Sequence, residues 1–321
     1  MSDTWKYSDS WKPNASIEVL RRRSEVLQAI RDFFRSRGVF EVETPILSKA
    51  SGTDVQLSQW KTSNGYFMQT SPEFAMKRLL AAGSGDIYQI ARVFRLDELG
   101  KRHNPEFTML EWYRSGFDEF ALMNEVAELI CTLSDQPELP VVHLSYQQAF
   151  SHSGLPCPHS ASMDELRRTC EHKMNAQAAE WSRDDCLDAL MSIVVEPELP
   201  PQQLTFIYDY PWQQAALARY RTVDDQLVSR RFELYWQGME LANGYYELSD
   251  VTEQKRRFDE QTLQRQALGI QKPVIDAYFL AALESGLPDC AGVALGVDRL
   301  LMLLLKQPDI SRVIAFAQDR C

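Results

Sequence analysis

"IYQIARVFRLDELGKRHNPEFTMLEWY", Ile87 to Tyr113, holds two runs of strand-forming residues around a polar, basic centre. Ile87 to Phe94 and Glu106 to Tyr113 are rich in branched and aromatic side chains, and the short segment between them makes a long antiparallel hairpin the simplest connection. In the second run, period-two alternation places Phe107, Met109, Glu111 and Tyr113 on one face. Arg95, Lys101, Arg102 and His103 crowd the connecting loop, an anion-binding composition in a chain whose formal net charge is -11.

Upstream, "YFMQT" is a short strand that runs into "SPEFAMKRLLAAG". There Ser71 caps a helix, Pro72 takes its first position and Glu73 sits in the positive first turn. Further back, Ser16 caps and Glu18 suits the first turn of a helix carrying Leu20, Leu27, Ile30 and Phe34 at helical spacing, closed by Gly38. Arg21 to Arg23 lie on that helix and read as a solvated face. "VFEVETP" follows, alternating Phe40 and Val42 against Glu41 and Glu43 and stopping at Pro45, as an edge strand does.

Downstream, from about Ser134 to Pro201, prolines, scattered charge and weak helical patterns indicate a helical insertion. "RFELYWQGMELANGYYEL" returns to strands, with a turn at Gln237-Gly238 and a turn or bulge at Asn243-Gly244. "FDEQTLQRQALG" is a helix, and "GVALGVDRLLMLLLKQ" runs from a glycine-interrupted strand into an apolar helix. Strands bracketing helices, without regular βαβ alternation, predict an α+β domain built on an antiparallel sheet flanked by helices. It occupies residues 16–321, behind a short extension of residues 1–15.

The chain has 321 residues, 45% of them apolar, enough for a substantial core. Its acidity argues against wrapping a nucleic acid, which takes a basic stripe. The polar and aromatic start shows no secretory pattern, and "LLMLLL" is far too short to cross a bilayer. Six cysteines without a C-x-x-C pair fit reduced thiols, so the expectation is a cytoplasmic protein. In "HSGLPCPH", His152, Cys157 and His159 lack a fourth metal ligand, and an ordinary loop is the better reading.

Three separated segments carry groups of one chemical kind. Arg95 and the Lys101-Arg102-His103 loop bind anions, and Arg299 opens a helix whose N-terminus favours phosphate. Glu240 and Glu247 could share a cavity, and two carboxylates near a polyphosphate call for a cation, ordinarily magnesium. Phe107 offers a flat surface to a base. Each feature alone is as well explained by core packing or solvated charge; their joint occurrence carries the weight.

Together these motifs resemble the catalytic core of the class II aminoacyl-tRNA synthetases, specifically the lysyl branch. "GVFEVETP" resembles the first motif of that class, "FRLDELGKRHNPEFTMLEWY" the second and "GVALGVDRLLML" the third, while "TSPE" and "ELANGYYEL" resemble the lysyl-type amino-acid pocket. The resemblance implies ATP and Mg2+ as cofactors. It places Arg95 and Arg299 in catalysis, Arg95 on the α-phosphate and Arg299 on the γ-phosphate and over the adenine opposite Phe107. Leu96, Asp97, His103, Asn104, Glu240, Leu241 and Gly296 complete the nucleotide site by similarity, with Glu240, and secondarily Glu247, holding magnesium. Ser71, Pro72, Glu73, Glu111, Tyr113, Glu247 and Ala294 line the amino-acid pocket.

Two positions depart from the lysyl pattern. Asp97 stands where the second motif has glutamate, and Ala294 where lysyl synthetases carry glycine. The extra methyl disfavours an α-amino group and suits an isomer with its amine one carbon further out. Only about 15 residues precede the first helix, whereas the anticodon-binding OB-fold of a lysyl synthetase takes roughly a hundred. In this the chain resembles the synthetase paralogues that attach (R)-β-lysine to a lysine of elongation factor P. That resemblance implies elongation factor P as protein substrate, a homodimer, and neither tRNA nor membrane as partner. A minimal tRNA-charging enzyme and a regulatory paralogue that binds an amino acid without catalysis stay open at this point.

Overall fold

The computed structural model describes residues 11–96, 98–134, 136–175 and 177–321. The chain divides into two compact units, Met1–Glu111 with Lys255–Ala282 and Gly296–Cys321, and Trp112–Gln254 with Leu283–Leu295.

The first unit opens with helix α1 (Ile17–Ser36). Ser16, extended, accepts the Val19 N–H on its Oγ at 3.2 Å, and Gly38 at φ 71° ends the element. The helix buries Val26, Ile30, Phe33 and Phe34. Arg23 falls on the same stripe, three and seven residues before Val26 and Ile30. Its side chain is only 14% exposed and reaches Asp298 Oδ1 (2.5 Å), Thr108 Oγ1 (2.7 Å) and the Val313 carbonyl (3.1 Å). The expectation of a uniformly solvated Arg21 to Arg23 face is therefore corrected: Arg22 is solvated and pairs with Glu25, whereas Arg23 is a buried tie.

Strand β1 (Phe40–Glu41) is a two-residue edge, with Phe40 half exposed. It runs parallel to β4 (Ile87–Phe94), with Phe40 opposite Ile87. Between them, β2 (Leu47–Ser48) and β3 (Phe67–Met68) form a separate ribbon, and α2 (Glu73–Ala81) follows. Pro72, not Ser71, occupies the cap position of α2; Ser71 still accepts the Glu73 N–H at 3.0 Å. β5 (Glu106–Ser115) is the neighbour of β4 in the sheet, the expected pairing, with the Arg95 N–H on the Pro105 carbonyl at its mouth.

In the second unit, α3 (Glu119–Ser134) leads to β6 (Val141–Ser145), then to helices α4 (Tyr146–His152), α5 (Met163–Met174), α6 (Arg183–Leu190) and α7 (Glu196–Glu198). These helices bury Phe150, Leu166, Cys170 and Leu190 with Ile207, Tyr210 and Tyr235 of the sheet. β6 lies inside the stretch read as helical. Its five residues are mostly half exposed and carry little alternation, but they pair in parallel with β7 (Leu204–Pro211), Val141 opposite Leu204. Next come β8 (Tyr220–Val223), β9 (Gln226–Trp236) and β10 (Met239–Tyr246). Gln237 (φ 51°) and Gly238 (φ 69°) make the two-residue turn between β9 and β10.

The chain returns through α8 (Val251–Ala267), α9 (Ala277–Gly286), β11 (Cys290–Gly296) and α10 (Val297–Leu304). Phe74 of α2 stacks on Phe279 of α9 at 4.4 Å, with Phe258 of α8 beside them. The large sheet runs β1-β4-β5-β11-β10-β9-β7-β6, with β8 on β9. It is antiparallel from β11 to β7 and parallel at β1-β4 and β6-β7, so the α+β class stands with a mixed sheet. Among the described residues no helix is long and apolar enough to cross a membrane.

Candidate active site

In the first unit the anion-binding residues gather at the open end of β4 and β5. The guanidinium of Arg95 lies 5.2 Å from the centre of the Phe107 ring, a cation–π contact, and its Nη1 meets Glu98 at 3.3 Å. Its Nε is buried without a hydrogen-bond partner among the described residues, the mark of a donor aimed at something further. Arg299, in the first turn of α10, contacts His103 Nε2 at 2.5 Å and donates to the Arg102 carbonyl at 3.3 Å. The His103 pKa lies below the ordinary value, through burial first and then the nearby Arg299 charge, so a neutral ring accepts from the guanidinium.

Asn104 is buried and its amide is engaged locally, Nδ2 on the Glu106 carbonyl (2.7 Å) and Oδ1 on the Gln318 N–H (3.1 Å), which shapes the loop. The Leu96 N–H is held by the Ser58 carbonyl. Gly296 precedes α10, with the Arg299 side chain 3.7 Å from where a β-carbon would stand. Asp97 lies outside the described residues.

Ser71 joins two of the expected pocket carboxylates: its Oγ donates to Glu111 Oε2 at 2.7 Å and accepts the Glu73 N–H. Glu111 is buried, and Pro72 is packed inside. Glu73 receives Lys77 Nζ at 2.6 Å, and that lysine is 1% exposed. A buried ammonium persists only when paired. Lys77 thus fixes Glu73, a function that sequence reasoning missed although the i,i+4 spacing displays it.

In the second unit, register explains how Glu240 and Glu247 come to share a face. Seven residues apart on a regular strand, they would point to opposite sides of the sheet. Glu240 pairs with Tyr235 and Ala242 with Leu234, so Leu241 is the extra residue of a β-bulge. Beyond it Asn243 stands opposite Glu233 and Tyr245 opposite Arg231. Glu240, Asn243, Tyr245 and Glu247 therefore share a face, to which β11 adds Ala294 opposite Asn243 and Gly292 opposite Tyr245. The expected irregularity at Asn243-Gly244 is corrected: the bulge lies at Leu241. Gly244 stays in register and must lack a side chain, because a β-carbon would sit 2.4 Å from Phe232 Cζ.

Tyr113 and Glu247, both buried, close over Gly292 on this face. On the same face Glu233 accepts the hydroxyls of Tyr210 and Tyr235, each at 2.6 Å, and Arg231 at 2.5 Å. Burial, and then the Glu233 charge, push both phenols well above their ordinary value, so they stay protonated donors. Among the described residues no three His, Cys, Asp or Glu side chains form a metal cage. Glu240 and Glu247 share that face but stand about 20 Å apart along it at about 3.3 Å per residue, so one magnesium ion cannot touch both; Glu240 alone would offer it a carboxylate, with phosphate and water supplying the other oxygens.

Residues 4–320 match the family "tRNA synthetases class II (D, K and N)". The chain is 46% identical to the elongation factor P--(R)-beta-lysine ligase of Erwinia tasmaniensis, with the whole of both chains covered. It is 45% identical to the ligase of that name from Salmonella arizonae and 46% identical to that of Salmonella enteritidis, each over 97% of this chain and 98% of the relative. With the hairpin around Arg95 and Phe107, the strand-to-helix turn before Arg299 and a family match along nearly the whole length, the chain belongs to the class II tRNA synthetases of the D, K and N group.

Proposed function

We propose that the chain activates (R)-β-lysine with ATP and transfers it to a lysine side chain of elongation factor P. The observation that carries this reading is an acidic, aromatic pocket wall, Glu247 and Tyr113 over Gly292, in a chain collinear over its full length with relatives named for that reaction. A carboxylate-lined pocket suits a substrate bearing two amines.

In the first step the substrate carboxylate attacks the α-phosphorus of ATP, the bond to pyrophosphate breaks, and an acyl-adenylate forms. Arg95 holds the attacking carboxylate against the α-phosphate and neutralises charge developing there; Arg299 meets the γ-phosphate. Phe107 is the platform for the adenine. Leu96, Asp97, His103, Asn104, Leu241 and Gly296 frame the nucleotide. Magnesium, held by Glu240, would supply charge neutralisation on the phosphates, while Glu247, about 20 Å further along the same face, is too distant to share that ion. Ser71, Pro72, Glu73, Glu111, Tyr113, Glu247 and Ala294 hold the amino acid. In the second step the acceptor amine attacks the acyl carbon, AMP leaves, and an amide remains once the nitrogen loses its proton. A free lysine amine has a pKa of about 10.4, so that proton must be removed.

Amino-acid-dependent pyrophosphate exchange tests the first step: no exchange with lysine, β-lysine or any other amino acid ends the enzyme reading. The same assay tests the pocket. Ala294→Gly is expected to raise kcat/KM for α-lysine relative to β-lysine by roughly tenfold, the scale of one methyl in a close-fitting pocket. An unchanged ratio removes the steric argument.

The reading includes a homodimer, supported by the half-exposed apolar side chains of Phe40, Ile46 and Leu47 at and after the sheet edge. Sedimentation as a monomer at working concentration would remove that part. It also includes a cytoplasmic location and no tRNA partner, the latter supported by the net charge of -11. Acylation of tRNA in place of the factor would reverse it.

A further inference from the structure

Gly292 of β11 is where the pocket wall meets the sheet. A β-carbon there would stand 2.3 Å from Cε1 and 2.5 Å from Cδ1 of Tyr113, and 2.5 Å from Oε1 of Glu247. Carbon contacts normally settle at about 3.5–4.0 Å, so even one methyl must displace both groups. Solvent offers neither an escape: Tyr113 is 2% exposed and Glu247 1%.

The backbone of Glu247 is fixed as well. Its N–H donates to the Cys290 carbonyl at 3.0 Å, and its own carbonyl accepts Arg219 Nε at 2.6 Å. Arg219 is itself held, by Ser249 Oγ at 3.1 Å, by Asp289 at 2.7 Å and by the Tyr246 ring, whose centre lies 4.4 Å away. Added volume at position 292 is therefore relieved by moving the Tyr113 ring and the Glu247 carboxylate, not by sliding the strand.

We infer that Gly292 is a specificity-determining position: its missing side chain lets Tyr113 and Glu247 close down onto β11 and so sets where the amines of the substrate are received. This rests on the reading of the pocket given above. It differs from the argument for Ala294, which concerns a methyl that is present; at 292 the absence of one positions two other residues.

The test is Gly292→Ala in amino-acid-dependent pyrophosphate exchange. KM for (R)-β-lysine is expected to rise at least about tenfold, because a displacement of about an ångström in a binding constellation is costly, while KM for ATP stays within about twofold. Thermal melting shows whether the variant folds. If it does not, Gly292→Ala is compared with Gly292 in a Tyr113→Ala background, where the ring is gone and the carboxylate can swing aside; there the methyl is expected to change KM by less than about twofold. An equal penalty in both backgrounds, or an equal rise in KM for ATP and amino acid, overturns the inference. Wild-type protein that exchanges with no amino acid fails the functional reading instead. A crystal structure of Gly292→Ala then decides the inference alone: displaced Tyr113 and Glu247 support it, and unmoved ones overturn it.

Discussion

Arg95→Ala is expected to lower pyrophosphate exchange by about 10²- to 10³-fold with little change in thermal stability. The magnitude is that of removing one preorganised charge-stabilising donor from a developing anion. The stability expectation follows from the surroundings. Arg95 makes one long contact to Glu98 and a cation–π contact to Phe107, and its buried Nε has no partner among the described residues, so little native structure depends on it. Arg95→Lys is expected to recover only part of the rate, because an ammonium cannot present two parallel donors to a phosphate and a carboxylate. Steady-state exchange with a parallel melting curve checks both; a loss below about tenfold would place the transition-state charge elsewhere.

The second large effect falls on stability. Asp298, beside Arg299 in α10, is 1% exposed, accepts the Thr108 N–H at 2.6 Å and binds Arg23 at 2.5 Å. Asp298→Ala leaves a buried amide unsatisfied and a mostly buried guanidinium without its counter-charge, a change that costs about 3–5 kcal/mol. Asp298→Asn keeps the shape and one acceptor oxygen and is expected to lose less. Urea unfolding measures both, and an alanine variant within about 1 kcal/mol of the parent would show that this tie does not hold α1, β5 and α10 together.

These two residues also show which parts of the molecule were legible in the sequence. Arg95 was, because its signal is local: a strand run, a basic loop and a second strand run within 27 residues, Ile87 to Tyr113. The strand-to-helix turn before Arg299, the Ser16 cap and the Gln237-Gly238 turn were legible for the same reason. The Arg23–Asp298 tie joins residues 275 positions apart, and nothing near "RRR" announces it beyond the helical spacing from Arg23 to Val26 and Ile30. β6 escaped because a short strand paired in parallel at a sheet edge needs no strict alternation, and helical patterns surround it. The bulge at Leu241 escaped because register is a property of two strands, whereas a sequence displays one. Gly292 was inconspicuous among the glycines of "AGVALG", and only the positions of Tyr113 and Glu247 give it meaning. Asp97, which departs from the glutamate of the second motif, lies outside the described residues.

The central claim is that an aminoacyl-adenylate made here is passed to a protein lysine. The most direct measurement is to incubate the purified chain with ATP, Mg2+, (R)-β-lysine and elongation factor P, then determine the mass of the factor and of its peptides. The expected result is an ATP-dependent gain equal to one β-lysyl residue, confined to a single lysine and lost with Arg95→Ala. An unmodified factor alongside active pyrophosphate exchange, or acylated tRNA in its place, would contradict it.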